Sequence, residues 1–376
     1  VNRQIGSYKD HKFAIQYPEK AKSEVVARAK RLGSLAIQLQ WVKGDATKAE
    51  ASFFKINQQA SPIDKTELRL LKARTQPNAL AARAIVRAGT GHKYWSRFSD
   101  QRCIEIESKA KEINDLLFSP TLKTPIKTLD LPVAGRGYSS KTLPLVFEFV
   151  NLVNGVKGDA KLPSDTSGDD TLRHLKKCLA IINRISGTHP SSLGLHPAVY
   201  FYSSTGRYQP TAFMAVVAMI RAFDDKDFFG EFTKVRRTFE DFLLRHRILV
   251  NQVTIKYGSG AKGYVRLHQL LDWLVKQFIA GTDEPRIIKE METHAEFSFL
   301  QPAEKEASEA RVDFGTDAKS AIFLRDALKD PLRCGICRGL IHRNAISIDH
   351  IVRKADGGKG VPENGQITHP YCNTTV

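Results

Sequence analysis

The chain closes on CGICRGLIHRNAISIDHIVRKADGGKGVPENGQITHPYCNTTV, residues 334–376. Of the five cysteines in the 376-residue sequence, Cys334, Cys337 and Cys372 fall in this stretch. Cys334-Gly-Ile-Cys337 is a two-thiolate knuckle, and His369-Pro-Tyr-Cys372 repeats its spacing with an imidazole and a thiolate. Two plus two soft or borderline donors fit a closed tetrahedral Zn²⁺ site, which is structural because no position is left for water. A lone CxxC is common, so the weight of the reading comes from the second pair at equal spacing.

Between the pairs lie Asp349-His350, the glycine-rich run from Asp356 to Gly360, and Asn364; Asn373 directly follows Cys372. Cleaving a phosphodiester requires an activated water and a cation at the scissile phosphate. Asp349 and Asn373 offer hard oxygen donors suited to Mg²⁺ or Mn²⁺, and His350 offers an imidazole base. The cysteines read as scaffold and the residues they enclose as chemistry. Residues 345–348, Ala-Ile-Ser-Ile, read as a strand, and 353–360 as a loop. Adjacent strand residues face opposite sides, so Asp349 and His350 are expected at the strand's exit, where a twist lets them share one site.

The joint presence of CxxC, Asp-His, Gly-Gly, Asn and HxxCN over residues 331–376 resembles the HNH nuclease family. That resemblance implies a zinc-stapled ββα-metal fold. It also implies that Asp349 and Asn373 hold the catalytic divalent metal, that His350 is the general base, and that Asn364 orients the loop or that histidine. Two positions depart from the commoner pattern: Asn373 stands where many members carry His, and His369 where Cys is more usual. Both keep a chemically competent group. The helix carrying Asn373 is expected to continue beyond Val376.

Working outward, the formal net charge of +17 points to a polyanionic partner, and DNA, as a duplex, is the expected one. The excess is spread along the chain, with local density at Lys234-Val235-Arg236-Arg237 and Arg245-His246-Arg247. No apolar run reaches the roughly 20 residues of a membrane span. Few cysteines and no secretory leader suit a reducing, cytoplasmic setting rather than a disulfide framework. The chain opens on Val1 rather than Met, and a preceding segment is expected.

Helical periodicity dominates from about residue 104, with helices expected near 105–118, 141–154, 171–186, 210–223, 227–248 and 263–280. Phe228, Phe229, Phe232, Val235, Phe239, Phe242 and Leu243 lie on one face of a 3.6-residue period and read as core rather than as base-stacking platforms. His189 and His196, each before a proline, read as turn residues, since no further donors stand at ligand spacing. Residues 301–317 are polar enough for a linker, and a helix is expected over 318–330.

Towards the N-terminus, 35–42 alternates like a half-buried strand, a turn and helix follow, and helices are expected over 65–74, with Asp64 and Glu67 at capping-box spacing, and over 78–89. Phe53, Phe54, Asn57, Pro62 and Leu68 loosely resemble part of the ParB-like domains of modification-dependent restriction and phage-defence proteins. The family's Asp-Gly-Gln-Arg type motif is absent from this sequence. Asn57 reads equally as a plain helix C-terminal residue.

The expected fold is therefore α+β: a small mixed ParB-like N-terminal domain (1–103), a mainly helical middle (104–300), a linker (301–317) and an HNH domain (318–376). The expected function is metal-dependent DNA endonuclease action in restriction or anti-phage defence, with nucleotide or modified-DNA sensing by the N-terminal part and a homo-oligomer both compatible with the sequence. The alternative is a non-catalytic protein using the zinc module only to dock on DNA. Asp349, His350 and Asn373 discriminate, because docking needs none of them. A zinc adaptor for protein partners leaves the charge without a role. Loss of Cys334 is expected to unfold the C-terminal module and spare the helical middle.

Overall fold

The structure is a computed structural model that describes residues 7–34, 65–157, 160–301 and 313–375. The chain divides into two units, Val1–Asp64 and Lys65–Val376. In the first, α1 (Tyr8–Gln16) opens on a capping box, with Ser7 and Asp10 satisfying each other's backbone donors, and packs on α2 (Ser23–Gly33). The strand expected at 35–42, together with Phe53, Phe54, Asn57, Pro62 and Asp64, lies outside the described residues.

The second unit is helical up to its last thirty residues. Helices α3 (Lys65–Lys72), α4 (Pro77–Val86), α5 (Asp100–Phe118), α6 (Thr142–Asn154) and α7 (Asp169–Ile185) pack together, α5 against α7 and α4 against its neighbours α5, α6 and α7. Leu68 sits on α3. A one-turn helix α8 (Pro197–Tyr200) leads to α9 (Pro210–Asp224), which is apolar on nearly every side and accordingly buried. Around it run α10 (Phe229–Arg245), α11 (Ile248–Tyr257), α12 (Ala261–Ile279) and α13 (Glu284–Thr293). Proline at the first turn of α4, α8, α9 and α13 costs no hydrogen bond there and presets the helical φ.

The phenylalanines of α10 do form core: Phe229, Phe232, Phe239 and Phe242 are buried at the spacing of one helical face. The helix expected over 227–248 is two helices. It breaks at His246, whose Nε2 lies 2.9 Å from Glu284 Oε1, and resumes as α11. Of the basic run 234–237, Arg236 is wholly buried on that same core face. Hydrophobic patterning accounts for the missed helices α11 and α13. Both are short, α11 is apolar without a single face, and α13 buries only Ile287 and Met291.

After the segment beyond 301, helix α14 (Thr316–Ala327) docks through Ser320, whose Oγ accepts Ile126 N–H at 3.0 Å, and through the Arg207–Asp317 pair. The chain then makes the first knuckle, a two-stranded antiparallel sheet of β1 (Ser347–His350) and β2 (Gly365–Thr368), and α15 (Pro370–Thr375). Register pairs Ser347 with Thr368, Asp349 with Gln366 and His350 with Gly365. This is an α+β fold, helical with a small C-terminal sheet, as the sequence implies. Its core is continuous: Cys334, Cys337, Leu340, Tyr371 and Cys372 belong to the same buried cluster as the side chains of α4 to α12. Among the described residues no helix is long and apolar enough to cross a membrane.

Candidate functional site

The two knuckles meet. Ligand atoms of Cys334, Cys337, His369 and Cys372 all lie within 4.8 Å of one another, and all four residues are buried. His369 Nδ1 is 3.4 Å from Cys337 Sγ and 3.9 Å from Cys372 Sγ. A zinc tetrahedron with Zn–S of about 2.3 Å and Zn–N of about 2.0 Å has edges of roughly 3.5–3.8 Å, so the spacing fits that ion. The imidazole is oriented by its far nitrogen, since Nε2–H donates to the Leu340 carbonyl at 3.0 Å and leaves the Nδ1 lone pair towards the thiols.

Electrostatics point the same way. Burial, followed by the nearby Arg236 charge, lowers the His369 imidazole from its ordinary value and keeps it neutral, the form that ligates. Hydrogen bonds from Cys337 and then Cys372 hold the Cys334 thiol far below its ordinary value. Cys337 and Cys372, having donated to Cys334, are pushed up. Three crowded thiols oppose one another's ionisation in a site without a cation. A divalent soft-accepting ion relieves that conflict, and Zn²⁺ is the one this donor set suits.

The sheet hangs from this cluster. Gly335 N–H donates to the Ile367 carbonyl at 2.8 Å, tying the first knuckle to β2. The strand expected at 345–348 begins two residues later. Residues 343–345 form a 3₁₀ turn in which Ala345 N–H bonds the His342 carbonyl at 2.9 Å, while Asn344 Nδ2 donates to Ser119 O. Pinned there, the chain turns extended at Ile346 and pairs with β2 only from Ser347. His350 is consequently the last strand residue, and the expected exit position is where it lies.

That ending reconciles the alternation of side chains. Asp349 and His350 both line an open groove of about 460 Å³, together with Ile348, Lys359, Asn364, Gln366 and neighbouring backbone. His350 faces Gly365 across the sheet, so no cross-strand side chain stands opposite its ring. Asp349 Oδ1 accepts the His350 backbone N–H at 2.8 Å and Oδ2 accepts Gln366 Nε2 at 3.3 Å, which fixes the carboxylate and leaves lone pairs on both oxygens.

Asn364 staples the loop that follows β1. Its Oδ1 accepts Val352 N–H at 2.7 Å, and its Nδ2 donates to the carbonyls of Val352 at 3.0 Å and Lys359 at 2.9 Å. The loop is drawn so tight that a Cβ on Gly358 would overlap the Val352 carbonyl. Asn373, on α15, donates through Nδ2 to Ser347 Oγ and to the Ile348 carbonyl. Ser347 and Asp349 share a strand face, so Asn373 stands on the Asp349 side of the sheet, although it does not line the groove.

Two groups of residues escaped sequence reasoning. Gln366 is an ordinary strand residue whose tie to Asp349 only the register reveals. Residues 192–195 had no assigned task and turn out to seat the knuckles: Ser192 O accepts Tyr371 N–H at 2.9 Å, and Gly194 packs on Ala345 and His369. His189 is a turn residue, its Nδ1 2.7 Å from Ser191 Oγ, whereas His196 is buried, caps α8 through Nδ1, and meets His342 edge-on.

No curated protein and no solved structure matches the chain. Residues 334–376, the knuckles, groove and sheet just described, match the model of the HNH endonuclease family, and over that segment the chain carries an HNH domain.

Proposed function

We propose that the protein is a metal-dependent endonuclease that hydrolyses phosphodiester bonds in duplex DNA. The observation that carries this reading is the HNH match over a groove lined by Asp349, His350 and Asn364. In this mechanism Asp349 and the side-chain oxygen of Asn373 would hold Mg²⁺ or Mn²⁺. Bound there, the ion would supply positive charge at the scissile phosphate and leaving oxygen. His350 takes a proton from the attacking water through a ring nitrogen. Gln366 and the His350 backbone N–H keep the Asp349 carboxylate aimed, and Asn364 keeps the wall of the groove from 352 to 359 in place. The zinc knuckles hold β1 and α15 in register and take no part in the chemistry.

The biological setting we assign is restriction or anti-phage defence in the cytoplasm, with the N-terminal part sensing a modification. It is supported by the loose resemblance of residues 52–74 and by the charge of +17. Supercoiled plasmid, modified and unmodified, incubated with the full chain tests the reading. Nicked or linear product that requires Mg²⁺ or Mn²⁺ and disappears with EDTA is expected. Intact plasmid under every divalent metal contradicts it, and equal cutting of both plasmids removes the sensing role alone.

A further inference from the structure

Helix α10 buries two charges where its neighbours bury phenylalanine. Arg236 and Glu240 are each 0% exposed, one turn apart, with Arg236 Nε donating to Glu240 Oε1 at 2.7 Å. Taking both charges out of water is expensive, and a well-packed apolar pair at such positions is often as stable or more so. Stability of α10 alone therefore does not explain them. Their remaining bonds do.

Apart from one bond to the Tyr200 hydroxyl, the further contacts of the pair lead to the knuckles or their seat. Arg236 Nη1 donates to the Leu193 carbonyl and lies 3.2 Å from His369 Nδ1, while Nη2 donates to the Gly194 carbonyl at 3.1 Å. Glu240 Oε2 accepts the Leu340 N–H at 2.7 Å, and its Oε1 also accepts the Tyr200 hydroxyl at 3.0 Å. The Leu340 carbonyl in turn accepts His369 Nε2–H. One residue, Leu340, thus links the carboxylate of α10 to the ring of a zinc ligand. The backbone is shaped to allow this approach. A Cβ on Gly339 would overlap the Arg236 guanidinium, and one on Gly194 would stand 2.8 Å from His369 Cδ2, at a φ of +56°. Asp241, the next residue of α10, bonds Arg333 just before the first knuckle at 2.7 Å.

Charge completes the case. Three thiolates, one neutral imidazole and Zn²⁺ sum to a net negative cluster, buried away from water. Arg236 Nη1 stands 3.2 Å from the His369 ring, so the pair sets a buried cation beside this net negative cluster, while its carboxylate holds the knuckle backbone at Leu340.

We propose that Arg236 and Glu240 are positioning residues of the zinc site: an outer shell, carried by the helical body, in which Glu240 orients His369 Nε2 through Leu340 and Arg236 holds the 193–194 backbone and sets a cation beside the thiolates, raising the zinc affinity of the knuckles. This rests on the cluster being a zinc site. The geometry makes zinc affinity a property of α10 as well as of the four ligands.

Zinc affinity of the full-length protein, measured by chelator competition, tests this, with the thiolate-to-metal absorption of the Co²⁺-loaded protein as a second readout. Arg236→Met combined with Glu240→Gln removes the charges and keeps an acceptor for Leu340 N–H; Arg236→Lys keeps the charge without the fork. Ile106→Ala on α5, a buried cavity variant, controls for lost stability. The double variant should bind zinc about 10- to 100-fold more weakly, with Arg236→Lys between it and wild type and Ile106→Ala unchanged. Should the double variant not fold, Arg236→Lys and Glu240→Gln decide by the same measure. Wild type that binds zinc, with variants within about twofold of it or tighter, overturns the proposal alone. Wild type that binds no zinc overturns the zinc reading and this inference with it.

Discussion

His350 owes its place at the groove to its neighbours rather than to its own bonds. It ends β1, faces Gly365, and follows a carboxylate locked by Gln366 and by the His350 backbone N–H. Its type and its pairing with Asp349 were readable from the sequence, and so was the strand-exit position, because a loop rich in glycine follows at once. The carboxylate's second partner was not, since Gln366 becomes its neighbour only through the antiparallel register. Asn364 illustrates the same point. Its three side-chain bonds close the 352–359 loop, and Asn364→Ala removes all of them at a half-exposed site, which should cost about 1–2 kcal/mol of stability. Cleavage should fall further than stability does, because Lys359 and the groove wall move with the loop. Urea unfolding and plasmid cleavage measured side by side check this, and a variant that cuts at the wild-type rate contradicts a loop-orienting role.

The elements were legible where periodicity was strong and long. Helices α6, α7, α9 and α12 stand within two residues of their expected bounds, α5 ends where expected but starts five residues earlier, and the α10 stripe is core as its spacing demands. Reading failed where local pattern is silent about tertiary contact. The buried Arg236 looks like any basic surface residue in the run 234–237, and β1 starts late because a 3₁₀ turn over 343–345 is tied through Asn344 to the carbonyl of Ser119, far away in sequence. The knuckles are the element where this matters most. They share a core with α10 and with residues 192–194, so losing the metal should not stay local. Cys334→Ser should remove the single zinc expected per chain and lower the melting temperature. Backbone hydrogen exchange should rise in α10 and around 190–196 as well as beyond 331. Exchange that rises only beyond 331 would instead support the separable module expected from the sequence.

At the scale of the whole molecule, charge and chemistry are unevenly shared. Residues 331–376 carry Arg333, Arg338, Arg343, Arg353, Lys354 and Lys359 against Asp349, Asp356 and Glu363, so most of the net +17 lies elsewhere in the chain. DNA affinity should accordingly be electrostatic and reside largely outside the HNH domain. Binding of full-length protein to duplex DNA without divalent metal should weaken about 10³-fold or more between 50 and 200 mM salt if some six or more phosphates are neutralised. A salt-independent affinity contradicts this. The central claim is that the groove holding Asp349 and His350 cuts DNA, and the most direct measurement is the single-turnover cleavage rate of His350→Ala set beside its melting temperature and its DNA affinity. Loss of a general base predicts a variant that folds and binds like wild type and cleaves about 10²- to 10⁴-fold more slowly. A folded His350→Ala protein that cleaves at the wild-type rate contradicts the account.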